Sequence, residues 1–389
     1  MDKKSSENIN STIEDITRQL DASEPMAPTP RQNKSRNPFK KFKTLSTKKK
    51  IAVVVAVVLL LSGGSAAALL FIKKPQKAAA PQSSIKNEEP PKPTTEASRL
   101  TGVQVKPELN QRPVTAIMIE NSPDARPQAA LKDAGVVFEA IAEGGITRFL
   151  TLWQEAQPDY IGPVRSVRPY YVDWAQGFDA GIAHVGGSAD GLAQIRNNGA
   201  KDLDQFANAD GYWRVNTRYA PHNMYTSMAK LDAISKRKGY NSSTFDSFPR
   251  KEEKANATPT AKSLDFNVSS FLYNPHYDYD AATNTYKRSE GGKPHIDEKS
   301  GVQIAPKVVI AAVMNYGIAA NGVNSRYDNI GSGKVYIFQD GVMSEGTWAK
   351  TSPKSQITFK DAGGNPIKLN AGQTWVSVVG SADRVVYKP

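Results

Sequence analysis

The chain has 389 residues, 39% of them hydrophobic and 8% aromatic, which is enough to build packed cores in two or three domains. Its formal charge is +12, but residues 1–50 hold +6 and residues 51–100 a further +3. That leaves only +3 for 101–389, so no nucleic-acid-binding domain is expected. Cysteine is absent, which excludes disulfides, thiolate metal sites, a thiol nucleophile and a lipidated cysteine.

Residues 1–50 are polar and read as a disordered basic cytoplasmic tail. Nine Lys and Arg and no acid fall within 31–50, a stretch suited to anionic lipid head groups. Residues 51–72, IAVVVAVVLLLSGGSAAALLFI, carry no charge. As a helix they would span about 33 Å, against a hydrocarbon core of about 30 Å, so a single transmembrane helix is expected. The larger basic cluster precedes it, which keeps the N-terminus cytoplasmic and places the rest outside. A cleaved signal peptide fits less well, because the apolar run is too long and begins too late. Gly64 and Ala68 form a small-xxx-small pair that suits helix packing, or only reflects the composition of anchors. Residues 73–100 read as a Pro-rich extracytoplasmic linker.

The rest predicts an α+β ectodomain: a mixed α/β domain at 101–248, a linker at 249–263 and a mainly β domain at 264–389. VTAIMIE (114–120) reads as a buried strand. GVVFEAIAEGGITRFLTLWQ (135–154) reads as a hairpin turning at Gly144-Gly145. PYYVDWAQG (169–177) is a short helix with Pro169 in its first turn. DAGIAHV (179–185) is a strand. Helices follow at 188–199 and 227–239, capped by Ser188 and Ser227. In the last region Asp340-Gly341 marks a second hairpin, and ITF, IKL and WVSVV read as further strands.

Several clusters offer chemistry. A regular hairpin at Gly144-Gly145 places Glu139, Glu143 and Arg148 on one face, with Arg148 diagonal to both acids. The two carboxylates would stand about 13 Å apart at about 3.3 Å per residue, too far for a glycosidase pair, so a structural ion cluster is the expected role. Arg165 and Arg168 precede the helix at 169. A helix N-terminus already carries positive character, so two guanidiniums there call for an anion. Either Glu139 or Glu143, or an external phosphate, pyrophosphate or carboxylate, would serve. HVGGS, with His184 and Ser188, is either a ligand-approaching turn or an ordinary strand-to-helix connection. RYAPHNMYTS supplies His222 and Asn223. The two imidazoles suit proton transfer or metal ligation, although they lack a defined carboxylate partner for a metal site. His276 and His295 fall in turn-rich sequence and read as surface or packing residues. No G-x-S-x-G elbow occurs, and no cofactor motif is present.

EGGITRFL, IGPVRSVRPYYVDWA, HVGGS, RYAPHNMYTS, GKPHIDEKSG and GQTWVSVV resemble the YerB-like bacterial family over roughly residues 100–385. The resemblance implies an envelope protein of unestablished activity, usually described as a lipoprotein, and it supplies no catalytic residues. Without a cysteine, anchoring falls to the helix at 51–72. The expected function is a binding or scaffolding module for an anionic cell-envelope component or a partner protein, with Arg148, Arg165, Arg168, His184, Ser188, His222 and Asn223 as anion contacts. The alternative is an envelope transferase or hydrolase acting on a phosphate- or carboxylate-bearing glycan or lipid-linked precursor.

Overall fold

The strand expected at 114–120 forms as β1 (Thr115–Glu120), and the Gly-Gly hairpin as β2 (Val136–Glu143) and β3 (Ile146–Trp153). Every residue of the three is buried. Such continuous burial belongs to the middle of a sheet covered on both faces. The computed structural model describes residues 94–389. The expected tail, the helix at 51–72 and most of the spacer lie outside the described residues. Among the described residues no helix is long and apolar enough to cross a membrane.

The sheet continues through β4 (Gly181–Ala183) and β5 (Lys201–Asp202) on one side. On the other it is extended by β6 (Val308–Val313), β7 (Gly331–Gln339), β8 (Val342–Lys350), β9 (Thr358–Lys360) and β10 (Thr374–Val379). The spatial order is β9-β8-β7-β6-β10-β2-β3-β1-β4-β5. Both sequence regions therefore contribute to one ten-stranded sheet. They join at a parallel pairing of β10 with β2, in which Thr374 faces Val136 and Ser377 faces Glu139. The hairpin at Asp340-Gly341 closes as expected, with both residues at positive φ (57° and 75°).

Side chains alternate across a strand, so neighbours in β2 serve opposite faces. Phe138 stacks on Trp174 at 5.2 Å between ring centres. Trp174 belongs to α1 (Pro169–Gln176), which packs beside α2 (Ala189–Asn198). Glu139 points the other way and meets Arg288 of a second sheet. That five-stranded sheet runs in the order Lys293–Pro294, Thr285–Glu290, Pro275–Asp280, Ser263–Phe266, Val385–Lys388. Helices thus cover one face of the large sheet and the smaller sheet covers part of the other.

The folded part begins slightly before the expected boundary at 101. Glu96–Ala97 pairs with Gln104–Val105, and Leu100 is in the core. The polar stretch expected as a linker is tied to the folded body: Arg250 donates to Asn370 O at 2.8 Å and to Leu100 O at 2.6 Å.

Candidate functional site

The β2–β3 turn lies at Gly144-Gly145, yet the ladder below it is not regular. Glu143 faces Ile146, but Ile141 faces Thr147 and Ala140 faces Arg148. One extra residue, Ala142, sits in β2. A one-residue slip moves every following side chain to the other face. Glu139 therefore leaves the face of Arg148, which corrects the expected Glu139–Arg148–Glu143 cluster. The freed backbone of Ile141 is satisfied from afar: its N–H donates to Tyr327 Oη at 3.0 Å, and its carbonyl accepts from Tyr170 Oη at 2.6 Å.

Glu143 is the anion at the start of α1. Arg148 Nη2 donates to its Oε1 at 2.6 Å and Arg168 Nη2 to its Oε2 at 2.7 Å. The second nitrogens of the two guanidiniums donate to Ser166 O and Val167 O, both within the turn that leads into the helix. Burial pushes the Glu143 carboxyl up, but Arg148, Arg168 and Arg165 outweigh it and hold it down at about 2. Of the two kinds of anion the sequence left open, an internal carboxylate or an external ligand, the internal Glu143 meets Arg148 and Arg168. Glu139 instead accepts from Arg288 Nη2 at 2.9 Å, and from Trp375 Nε1 and Ser377 Oγ at 3.0 Å each. It joins the two sheets.

His184 and Ser188 take the ordinary strand-to-helix role, one of the two readings the sequence left open, and Ser188 is the cap expected there. His184 is fully enclosed, with Nδ1 2.7 Å from Gly186 O and Nε2 3.1 Å from Asp202 Oδ1. Ser188 caps α2 by accepting from Gly191 N at 3.3 Å. The Gly-Gly turn between them does allow a close approach, but the approaching group is protein: a Cβ on Gly187 would lie 2.7 Å from Val167 Cγ1.

His222 sits differently. It is half-buried, and its Nδ1 lies 2.8 Å from Glu120 Oε1. A carboxylate only accepts, so Nδ1 carries the proton. Ser122 Oγ donates to the same Glu120 oxygen at 2.9 Å, and Arg165 Nε lies 3.5 Å from it. Burial pushes the His222 imidazole down, yet the hydrogen bond and charge of Glu120 outweigh it and raise its pKa above the ordinary value. Glu120 is pushed up by burial and pulled further down by Arg165 and His222. Serine and carboxylate both contact Nδ1, whereas a serine triad uses the two ring nitrogens separately. Nε2 is left outward, 4.0 Å from the exposed Asp124. Among the described residues no group of three or more His, Cys, Asp or Glu is placed to hold a metal ion.

Asn223 holds a loop in place. It donates to Val215 O and Arg218 O and accepts from Arg214 Nη1 at 2.6 Å. That loop, 214–218, forms one wall of a cavity of about 580 Å³. The other wall carries Tyr160, Glu298 and Lys299. The turn bearing Glu298 and Lys299 is fixed by the buried Asp297, whose Oδ1 accepts from Lys299 N, Ser300 N and Ser300 Oγ. Across the cavity Arg218 lies 3.5 Å from Glu298, and Tyr225 Oη donates to Glu298 Oε2 at 2.8 Å. Arg214 and Lys299 are exposed at its rim.

Sequence reasoning did not assign Glu120, Ser122, Arg214, Arg218, Glu298 or Lys299. Glu120 ends an otherwise apolar strand, a usable signal. Glu298 and Lys299 lie in GKPHIDEKSG and Arg218 in RYAPHNMYTS, two of the stretches that carry the family resemblance, and these meet at the cavity.

A family described as "Protein of unknown function (DUF3048) N-terminal domain" matches residues 100–241, and its "C-terminal domain" counterpart matches 264–376. The chain is 31% identical over 290 residues to a Bacillus subtilis (strain 168) protein named "Putative lipoprotein YerB", a match that covers 73% of this chain and 86% of that protein. It is also similar to the crystal structure of the YerB protein from Bacillus subtilis, with a TM-score of 0.67 and 27% identity, covering 75% of this chain and 99% of that chain. With both halves matched in order and the same fold in a solved relative, the chain belongs to the DUF3048 family of proteins of unknown function.

Proposed function

We propose that the protein is a membrane-anchored extracytoplasmic binding module for an anionic cell-envelope component. The observation that carries this reading is the cavity between loop 214–218 and the Glu298 turn, where Arg214, Arg218 and Lys299 stand against one carboxylate. Such an excess of cations in an open cleft attracts anions. The lipoprotein name of the Bacillus relative supports an anchored location. This chain lacks a cysteine to acylate, so the charge-free stretch 51–72 takes the anchoring role, with 31–50 against anionic lipid.

The test is retention of the full chain, in detergent, on immobilised polyphosphate and polygalacturonate, with neutral dextran as the control. Binding to both anions is expected to weaken about tenfold in the Arg214→Gln, Lys299→Gln double variant and to fall as salt rises. Equal retention of wild type and variant, or equal retention on dextran, rejects the reading. The topology is checked by adding protease to intact cells: protection of residues 94–389 until lysis rejects an external location.

A second reading, an envelope hydrolase or transferase, is favoured by one observation. The pair of His222 with Glu120 sets the imidazole for proton transfer through its outward Nε2. Loss of turnover in His222→Asn with ligand retention intact would select this reading. Unchanged turnover would remove it.

A further inference from the structure

The cavity is much larger than a bare anion requires. At about 580 Å³ it is an open cleft rather than an enclosed pocket, with room for more than a bare anion. Three cationic side chains and one carboxylate line it, a formal surplus of two positive charges. A single carboxylate would match only one of these two charges. A phosphate monoester, which carries about −1.5 to −2 at neutral pH, matches the surplus.

The same lining has one negatively charged acceptor. Tyr225 and Arg218 both engage Oε2 of Glu298 and the Tyr160 hydroxyl also bonds this carboxylate, whose remaining lone pairs can accept from a ligand hydroxyl. Asn216 and Thr217 add neutral polar groups. Stacking is not on offer at Tyr160. Lys299 Nζ lies 3.8 Å from the centre of its ring, and Tyr225 stacks on it at 4.4 Å. Two groups cannot share one face at those distances, so the ring has no open face for a base.

We infer that the cavity takes a phosphate-bearing saccharide, with the phosphate on Arg214, Arg218 and Lys299 and a sugar hydroxyl on Glu298. This rests on the cavity being the binding site proposed above, and adds the class of ligand.

Calorimetric titration of the full chain in detergent with glucose 6-phosphate, inorganic phosphate, glucuronate and glucose tests it. Glucose 6-phosphate is expected to bind about tenfold more tightly than inorganic phosphate or glucuronate, and glucose not measurably. Glu298→Gln keeps an acceptor for Tyr225 and is expected to erase most of that preference. Arg214→Gln with Lys299→Gln also removes the Arg214 hydrogen bond to Asn223 and the Lys299 contact with Tyr160, so an unchanged circular dichroism spectrum is the fold control, and the pair is expected to weaken every anion. Inorganic phosphate or glucuronate binding as tightly as the sugar phosphate overturns the ligand class but leaves the anion site standing. A preference that persists in Glu298→Gln overturns the hydroxyl contact. Anion binding that is absent, or unchanged in the double variant, overturns the site and this inference with it.

Discussion

At Glu143 one carboxylate bridges two guanidiniums that have almost no access to water. Removing one member of such a group leaves the others charged and buried, at a cost of about 3–5 kcal/mol. Glu143→Gln is therefore expected to lower the unfolding free energy at pH 7 by that order. The pH dependence follows the depressed value of the acid. Its contribution is complete above the ordinary carboxylate range and is lost as pH falls from about 4.5 toward about 2. His222 acts in the opposite sense: its contribution is present below its ordinary value and fades as pH rises through the raised one. Urea unfolding between pH 7 and pH 3 checks the acid limb. Wild type should lose stability that Glu143→Gln no longer has to lose, and parallel profiles for the two proteins would reject this account.

Among the elements, the β2–β3 hairpin separates what could be read from sequence from what could not. The turn at Gly144-Gly145 was legible, because both glycines adopt positive φ. The bulge was not, since it is stabilised by hydroxyls from Tyr170 and Tyr327, remote in sequence and silent in any local pattern. Caps were legible at Ser188 and Ser227, where one side chain satisfies a backbone donor nearby. The cavity was not, because Arg214 and Lys299 lie far apart in the chain and each alone reads as a solvated surface charge. Tyr327→Phe should test the bulge. It deletes the acceptor for Ile141 N while keeping the ring, and leaving a buried donor unmet costs about 1–3 kcal/mol. A change in the unfolding free energy from urea titration of less than about 0.5 kcal/mol would show that the bulge has other support.

For the molecule as a whole, the joint is the pairing of β10 with β2. Composition and linker signals suggested two domains, and the family matches are likewise divided at 241 and 264. A run such as WVSVV reads the same whether it pairs within its own region or across to another, so the shared sheet could not be seen in sequence. Burial of Trp153 and Trp174 on one side of the joint and of Trp348 and Trp375 on the other predicts one cooperative transition. Tryptophan fluorescence and far-ultraviolet circular dichroism of the full chain should unfold together in urea. A fragment ending at 262 should lack native ellipticity, because β2 would present an unpaired flank and Glu139 would lose Arg288. Two separated transitions, or a native-like fragment, would argue for independent folding.

The same joint sets a timetable for biosynthesis. Val136 emerges from the ribosome roughly 240 residues before Thr374, its neighbour in the finished protein. Throughout that interval the nascent chain displays a greasy, hydrogen-bond-hungry ribbon at what will become its centre. Any helper that delays premature pairing would act before Thr374–Val379 is made.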